Sequence, residues 1–166
     1  QVGSNWKNQI SIHQPKLSYF ALETCGMSVD KKYTLLSKNT GKMIFVCNYE
    51  AIWREPLREK VLSTKWDAVI CDESHRIKSP GSKVSKFLAL LGRRVDNRYI
   101  MTGTPVGNSP LDIYGLYRFL DPTIFCTNFG SFRDRYAYTR MLGTGVAVVD
   151  TKRKNPYKKL DELKEK

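Results

Sequence analysis

An α/β fold is predicted for the 166-residue sequence by two observations: short apolar runs at 17–22, 43–47, 68–71 and 99–101, and apolar residues at helical spacing in the segments around them. The runs are bounded by polar residues or glycine, as strands buried in a parallel sheet are. In chain order, residues 5–10 read as a helix, and the first three runs follow as strands. Val84, Phe87, Leu88 and Leu91 then fall at i, i+3, i+4 and i+7, one apolar stripe on a helix that Gly92 stops. After the fourth strand, Ile113, Leu116, Tyr117 and Leu120 repeat the spacing, and Asp121-Pro122 ends that helix because the residue before proline is pushed from helical dihedrals. Phe129, Phe132 and Tyr136 predict a further helix, 143–149 a loop or short strand, and Tyr157, Leu160 and Leu163 a last short helix.

Composition bounds the function classes. Lys and Arg number 28 against 16 Asp and Glu, giving a formal charge of +12, which excludes an acidic solvating segment and points to a polyanionic partner. The charge is distributed: +5 over 1–66, +3 over 67–104, +1 over 105–149 and +3 over 150–166. A basic face on a folded domain therefore fits better than a basic tail. Only Lys152, Arg153, Lys154, Lys158 and Lys159 cluster locally, read as a solvated face before a nucleic-acid contact. No run of about 18 apolar residues is present to span a membrane. Cys25, Cys47, Cys71 and Cys126 are widely spaced without a Cys-x-x-Cys, which argues against zinc. Cys47 and Cys71 lie in apolar runs as reduced thiols do, so a reducing compartment is expected.

The chemistry-bearing feature is Asp72-Glu73, directly after the apolar residues 68–71. In an open parallel sheet, ligands bind at the carboxyl ends of strands. Adjacent acids there divide the labour of nucleotide hydrolysis. Asp72 can hold magnesium through its hydration shell, since magnesium takes one or two carboxylates plus phosphate oxygens and keeps several waters. Glu73 can orient and deprotonate the attacking water. About thirty residues on, a second strand ends in Thr102-Gly103-Thr104-Pro105, a turn whose glycine allows close backbone approach and which presents two hydroxyls to the same crevice. Alone, each element reads as an ordinary strand end; together they describe one site.

These residues resemble the Swi/Snf-like branch of superfamily-two helicases and translocases. Asp72-Glu73-Ser74-His75-Arg76-Ile77-Lys78 looks like that branch's motif II, residues 101–108 like motif III, and 111–122 like the helix after it. Cys47-Asn48-Tyr49-Glu50 is similar to motif Ib, residues 5–10 to the stretch after motif Ia, and 130–137 to a helical protrusion on the first lobe. The resemblance implies a partial RecA-like lobe of P-loop NTPase type over 1–121 and a helical protrusion and linker over 122–166. It further implies ATP and magnesium as cofactors, duplex DNA as track, and a second RecA-like lobe of the parent chain as partner. Asp72 and Glu73 would be catalytic, and His75, Thr102, Gly103 and Thr104 would couple motifs II and III. Lys78, Asn48 and Tyr49 would be nucleic-acid contacts, while Trp6, Trp53 and Trp66 are assigned to packing.

Three positions depart from the pattern. Ser74 replaces Gly or Ala, Asn48 stands where Thr is common, and Gly107 replaces Gln while Asn108 is kept. The Gly-Asn-Ser-Pro version resembles phage and bacterial relatives, which implies the cytoplasm of a bacterium or a phage-infected cell. No Gly-x-x-x-x-Gly-Lys-Ser/Thr loop occurs, so the chain is expected to begin after that loop, to end before the second lobe, and to be inactive alone. The alternative is a noncatalytic nucleic-acid or protein-binding module of helicase-like shape. An unrelated nucleoside phosphatase ranks last because it does not require the Thr-Gly-Thr-Pro turn.

Overall fold

The computed structural model describes residues 2–13, 20–23, 26–39, 41–107, 109–125 and 128–165. Residues 17–19 of the first expected strand, Cys25, Asn108 and Cys126 lie outside these. Two compact units are formed, residues 1–65 and 66–166.

The first unit begins with α1 (Val2–His13), longer than the helix expected at 5–10. Strands β1 (Phe20–Glu23) and β2 (Met43–Val46) pair in parallel, with Phe20 opposite Met43 and Glu23 opposite Val46. The parallel crossover between them contains α2 (Val29–Lys38), started by Ser28, whose hydroxyl accepts from Lys31 N. Two short helices follow, α3 (Tyr49–Ile52) and α4 (Leu57–Ser63). Leu36 of α2, Ala51 of α3, and Leu57 and Val61 of α4 are buried. Helices α2, α3 and α4 are absent from the sequence reading: in α2 Lys32 is buried, which breaks the apolar periodicity that marks a helix.

In the second unit, β3 (Ala68–Cys71) and β4 (Asn97–Ile100) pair in parallel, Ala68 opposite Asn97 and Cys71 opposite Ile100. Full burial of these strands does not hold. Exposure alternates along each, and Ile70 is 57% and Tyr99 53% exposed, because successive side chains point to opposite faces. Helix α5 (Lys83–Gly92) buries Phe87, Leu88 and Leu91, with Val84 half-buried. Gly92 is the last residue of α5, but for a reason other than a left-handed cap: its φ is not positive, and a Cβ there would stand 2.9 Å from the carbonyl oxygen of Phe119. Close passage of the next helix requires that glycine.

That helix, α6 (Ile113–Leu120), follows a short 3-10 turn at Pro110–Asp112. Its buried residues are Tyr114, Gly115, Leu116 and Phe119, whereas Ile113, Tyr117 and Leu120 of the expected stripe are half-buried. The stripe is displaced because α6 is covered on more than one side. It packs on α5, β4 and the 3-10 turn Ser74–Ile77, and also on an aromatic cluster to which Tyr114, Phe125, Phe132 and Tyr136 contribute. Within the cluster, the Tyr114 and Phe132 rings lie 5.0 Å apart and those of Phe125 and Phe132 4.9 Å. Residues on both sides of position 121 thus share one core.

Helix α7 (Phe129–Tyr136) starts at Asn128, whose Oδ1 accepts from Gly130 N and Ser131 N. Where a loop or single strand was expected, β5 (Thr139–Met141) and β6 (Ala147–Val149) form an antiparallel hairpin. Its turn is allowed by Gly145 at φ 76°. The exposed β5, with Arg140 between Thr139 and Met141, carries no apolar run to betray it. Helix α8 (Leu160–Lys164) buries Leu163, while Tyr157 precedes it in a bridge to Ala137. Arg135 pairs with Glu162, which also accepts from Tyr136 Oη at 3.1 Å. Burial pushes the Glu162 carboxyl up, but the bonds from Arg135 and Tyr136 outweigh it and hold the carboxyl below its ordinary value.

Two contacts fix the segment after β3. Arg118 of α6 donates to Pro80 O at 3.0 Å and to Ser85 Oγ at 2.9 Å, tying the start of α5 to α6. Burial lowers the Arg118 pKa, against a raising influence of Tyr114 and with a further lowering one from Arg93. Gly115 permits the second contact. A Cβ there would stand 2.3 Å from Lys78 O and 2.6 Å from Ile77 O, both backbone atoms. An isolated glycine in a helical pattern costs about 1 kcal/mol relative to alanine, and the approach of the 74–78 backbone is its compensation.

Gly115→Ala is therefore expected to destabilise despite the better helix propensity of alanine, by about 2–3 kcal/mol and a Tm drop of about 5–10 °C in thermal denaturation. An unchanged Tm would show that the turn can move away from α6. Ser74 behaves oppositely. It is fully buried and its hydroxyl has no hydrogen-bond partner among the described residues, so Ser74→Ala removes an unpaired polar group. Calorimetry should give a Tm unchanged or raised by a few degrees; a clear drop would mean that the hydroxyl is bonded.

Candidate active site

The β3–β4 pairing continues past both strands. Met101 N donates to Cys71 O at 2.9 Å, and Ser74 N donates back to Met101 O, also at 2.9 Å. Between these two bonds lie Asp72 and Glu73, so the acid pair is held at the carboxyl end of β3 beside the residues leaving β4. Glu73 has φ 48° and ψ 48°, left-handed backbone for a residue that is not glycine. That conformation turns the chain from the strand into the 3-10 turn Ser74–Ile77 and carries a cost of order 1–3 kcal/mol. Asp72 Oδ1 accepts from Glu73 N at 2.9 Å, which helps hold the bend.

The side chains divide by environment. Glu73 is 65% exposed, and its Oε2 lies 3.2 Å from His75 Nδ1. His75 was expected to link motif II to motif III. Among the described residues that link is made by the Ser74 backbone, while His75 faces Glu73. Thr102 is half-buried, and its Oγ1 accepts from Thr104 N at 3.2 Å, so one of the two hydroxyls shapes the turn. Gly103 is exposed with nothing within 4 Å of a built Cβ and no positive φ. Space around a Cβ at Gly103 is thus open among the described residues, whereas a Cβ at Gly115 would meet backbone.

Lys78 closes the 3-10 turn and pairs with Asp112 at 3.0 Å, both side chains largely shielded. A Cβ at Gly107 would stand 2.9 Å from Lys78 Nζ and 3.4 Å from Asp112 Oδ2, so the small residue at 107 leaves room for this pair. The arrangement brings together Asp72, Glu73, His75, Lys78, Thr102, Gly103 and Thr104 in the second unit. Asn48 and Tyr49 belong to the first unit, at the start of α3. Asn48 is exposed, receives a bond from the buried Lys32 ammonium, and donates to Glu50 Oε2 at 3.4 Å. Tyr49 is half-buried.

Sequence reasoning missed Asp112 and Gly115. Asp112 carried no signal, because its partner lies 34 residues away. Gly115 did carry one: a glycine inside a helical stripe asks for a packing reason.

Among the described residues, no group of three or more His, Cys, Asp or Glu could hold a metal ion. The donor set at Asp72-Glu73 nevertheless suits magnesium, which needs only one or two carboxylates when phosphate oxygens and water complete its shell.

Among curated proteins, the chain is 30% identical over 123 residues to a probable ATP-dependent DNA helicase of Arabidopsis thaliana, CHR23, covering 73% of this chain and 11% of that protein. It is 32% identical over 124 residues to the ISWI chromatin-remodeling complex ATPase ISW1 of Saccharomyces cerevisiae, covering 74% and 10%. Against the human DNA repair and recombination protein RAD54B it is 28% identical over 135 residues, covering 80% and 14%. The chain thus spans about a tenth of the length of such relatives. Its fold is shared with the Sulfolobus solfataricus SWI2/SNF2 ATPase core, solved in complex with dsDNA, at a TM-score of 0.63 and 22% identity over 81% of this chain and 26% of that one. The profile of the SNF2-related domain matches residues 1–165, over an α/β framework that sets an Asp-Glu pair beside a Thr-Gly-Thr-Pro turn, and the chain belongs to that family.

Proposed function

We propose that this chain is part of the first motor lobe of a DNA-dependent ATPase that couples ATP hydrolysis to movement on duplex DNA. The observation that carries the reading is the left-handed Glu73, held beside the end of β4 by the Ser74 N to Met101 O bond. A strand ending in merely solvated acids has no need of that backbone cost.

In this reading Glu73 takes a proton from the attacking water, and His75, 3.2 Å away, orients its carboxylate. Asp72 would hold magnesium through water, and the ion, when bound, would supply positive charge beside the phosphate oxygens. A change felt at the acid pair reaches Thr102, Gly103 and Thr104 through the Ser74 to Met101 bond. Lys78, Asn48 and Tyr49 are assigned to the DNA side; for Lys78 that means exchanging Asp112 for a backbone phosphate. The second RecA-like lobe would complete the nucleotide site from elsewhere in the parent protein. The relatives named above as ATPases or DNA helicases support the assignment, as does the solved complex of the Sulfolobus core with dsDNA.

Glu73→Gln keeps size and hydrogen bonding but removes the base. In the full-length protein it should lower DNA-stimulated ATP turnover by about 100-fold or more while the melting temperature stays close to that of the parent. Turnover within a few-fold of the parent would sink the assignment of Glu73. Since these 166 residues contain no Gly-x-x-x-x-Gly-Lys-Ser/Thr loop, phosphate release by this chain alone should not exceed that of its own Glu73→Gln control.

A further inference from the structure

A local cluster of five Lys or Arg within residues 152–159 lies far along the chain from the acid pair. Residues 138–159 carry six Lys or Arg and one acid, Asp150, a net +5. The β5–β6 hairpin and the strand-like return after it form an arm anchored on α7. Tyr138 N donates to Pro156 O at 2.8 Å, Asp150 N to Tyr138 O at 2.8 Å, and Lys158 N to Tyr136 O at 2.9 Å. Arg133 of α7 adds a bond to Ala147 O at 2.6 Å. Cations on this arm are therefore carried by a braced backbone.

An aromatic ring organises part of the charge. The Arg153 guanidinium lies over the Tyr138 ring at 3.9 Å, and Lys158 Nζ lies over the same ring at 5.1 Å. A ring face restricts the long side chains without consuming their N–H donors, so the donors remain available to an external acceptor. Lys152 and Lys154 are exposed and have no ion pair among the described residues. Of the nearby acids, Asp150 lies 3.8 Å from Arg140 of the same arm with its buried Oδ1 making no hydrogen bond among the described residues, Glu162 is taken by Arg135, and Asp161 faces Lys164.

We propose that this arm, through Lys152, Arg153, Lys154 and Lys158 around Tyr138, is a second contact for the phosphate backbone of duplex DNA, separate from the residues of the motor site. The partner class follows from the donor set: closely spaced guanidinium and ammonium groups with no acid among them match a line of phosphates, and phosphate contacts fix position without reading sequence. The proposal rests on the reading that the protein works on duplex DNA. It adds that the protein holds the duplex at two places, one of them independent of nucleotide.

The test uses fluorescence anisotropy of the full chain with a labelled 30-base-pair duplex across a salt series, without nucleotide. Each lost phosphate contact reduces the slope of log K against log salt by about 0.9. The triple variant Lys152→Gln, Arg153→Gln, Lys154→Gln should lose about 2–3 in slope and bind roughly 10- to 100-fold more weakly at low salt. Neutralising three exposed lysines elsewhere, Lys38, Lys65 and Lys86, should change the slope by less than about 1. Tyr138→Leu removes the ring but no charge, and should weaken binding by roughly 3- to 10-fold, with circular dichroism confirming that the arm variants remain folded.

If the parent chain binds the duplex and the arm triple behaves like the control triple, the arm is not a contact and the motor reading stands. If the parent chain does not bind the duplex at low salt, the arm proposal fails together with its DNA premise for this chain. Binding to vesicles of four parts phosphatidylcholine and one part phosphatidylserine that the arm triple abolishes, without effect on DNA, would overturn the proposal in favour of a lipid surface.

Discussion

The close approach of the 74–78 backbone to Gly115 is the constraint on which the acid site depends. A hydrogen in place of a side chain lets the carbonyls of Ile77 and Lys78 come within what would be hard overlap with any Cβ. From that contact the 3-10 turn is set, and from the turn the position of Ser74 N opposite Met101 O. Arg118, one turn further along α6, holds the start of α5 in the same way. One helix thus carries both the floor under the acid pair and the wall beside it. Its other face closes the aromatic cluster of Phe125, Phe132 and Tyr136, so the site and the C-terminal elements share a single support.

Electrostatics near the acids are local. Lys78 is paired with Asp112, while Glu73 Oε2 lies 3.2 Å from His75 Nδ1. Of the +12 on the chain, a net +5 falls in the arm between 138 and 159. Composition alone reports the total, but only the pairing of side chains shows which charges are engaged within the fold.

What was legible in the sequence follows from where the signal is local. The strand at 68–71 and the helix of Phe87, Leu88 and Leu91 were readable from an apolar run and an apolar period, while the strand expected at 99–101 runs from Asn97 to Ile100, its polar first half carrying no apolar signal. The acid pair and the Thr-Gly-Thr-Pro turn stand out because each follows a short apolar run, and the bonds linking Cys71, Ser74 and Met101 set the ends of those strands side by side. Besides helices α2 to α4 and the partner of Lys78, three further features were not legible. The face of α6 was misjudged by a residue or two because several elements cover it and no single stripe is written. Hairpin strand β5 is exposed and polar, and so lacks the alternation that burial enforces. The roles of Gly92, Gly107 and Gly115 are decided by distant chain, and only the middle of a helix marks a glycine as needing an explanation.

Glu73 illustrates a further consequence of its left-handed backbone. The bend at Glu73 is settled when the chain folds, before any ligand arrives, and its cost is carried by the stability of the fold. Substitution there changes two properties together: the acid and the ease with which the bend forms. Glycine would relax the bend and abolish the acid, and valine would lose both, since a β-branched side chain tolerates this backbone poorly. The demands of conformation and of chemistry therefore meet in one residue.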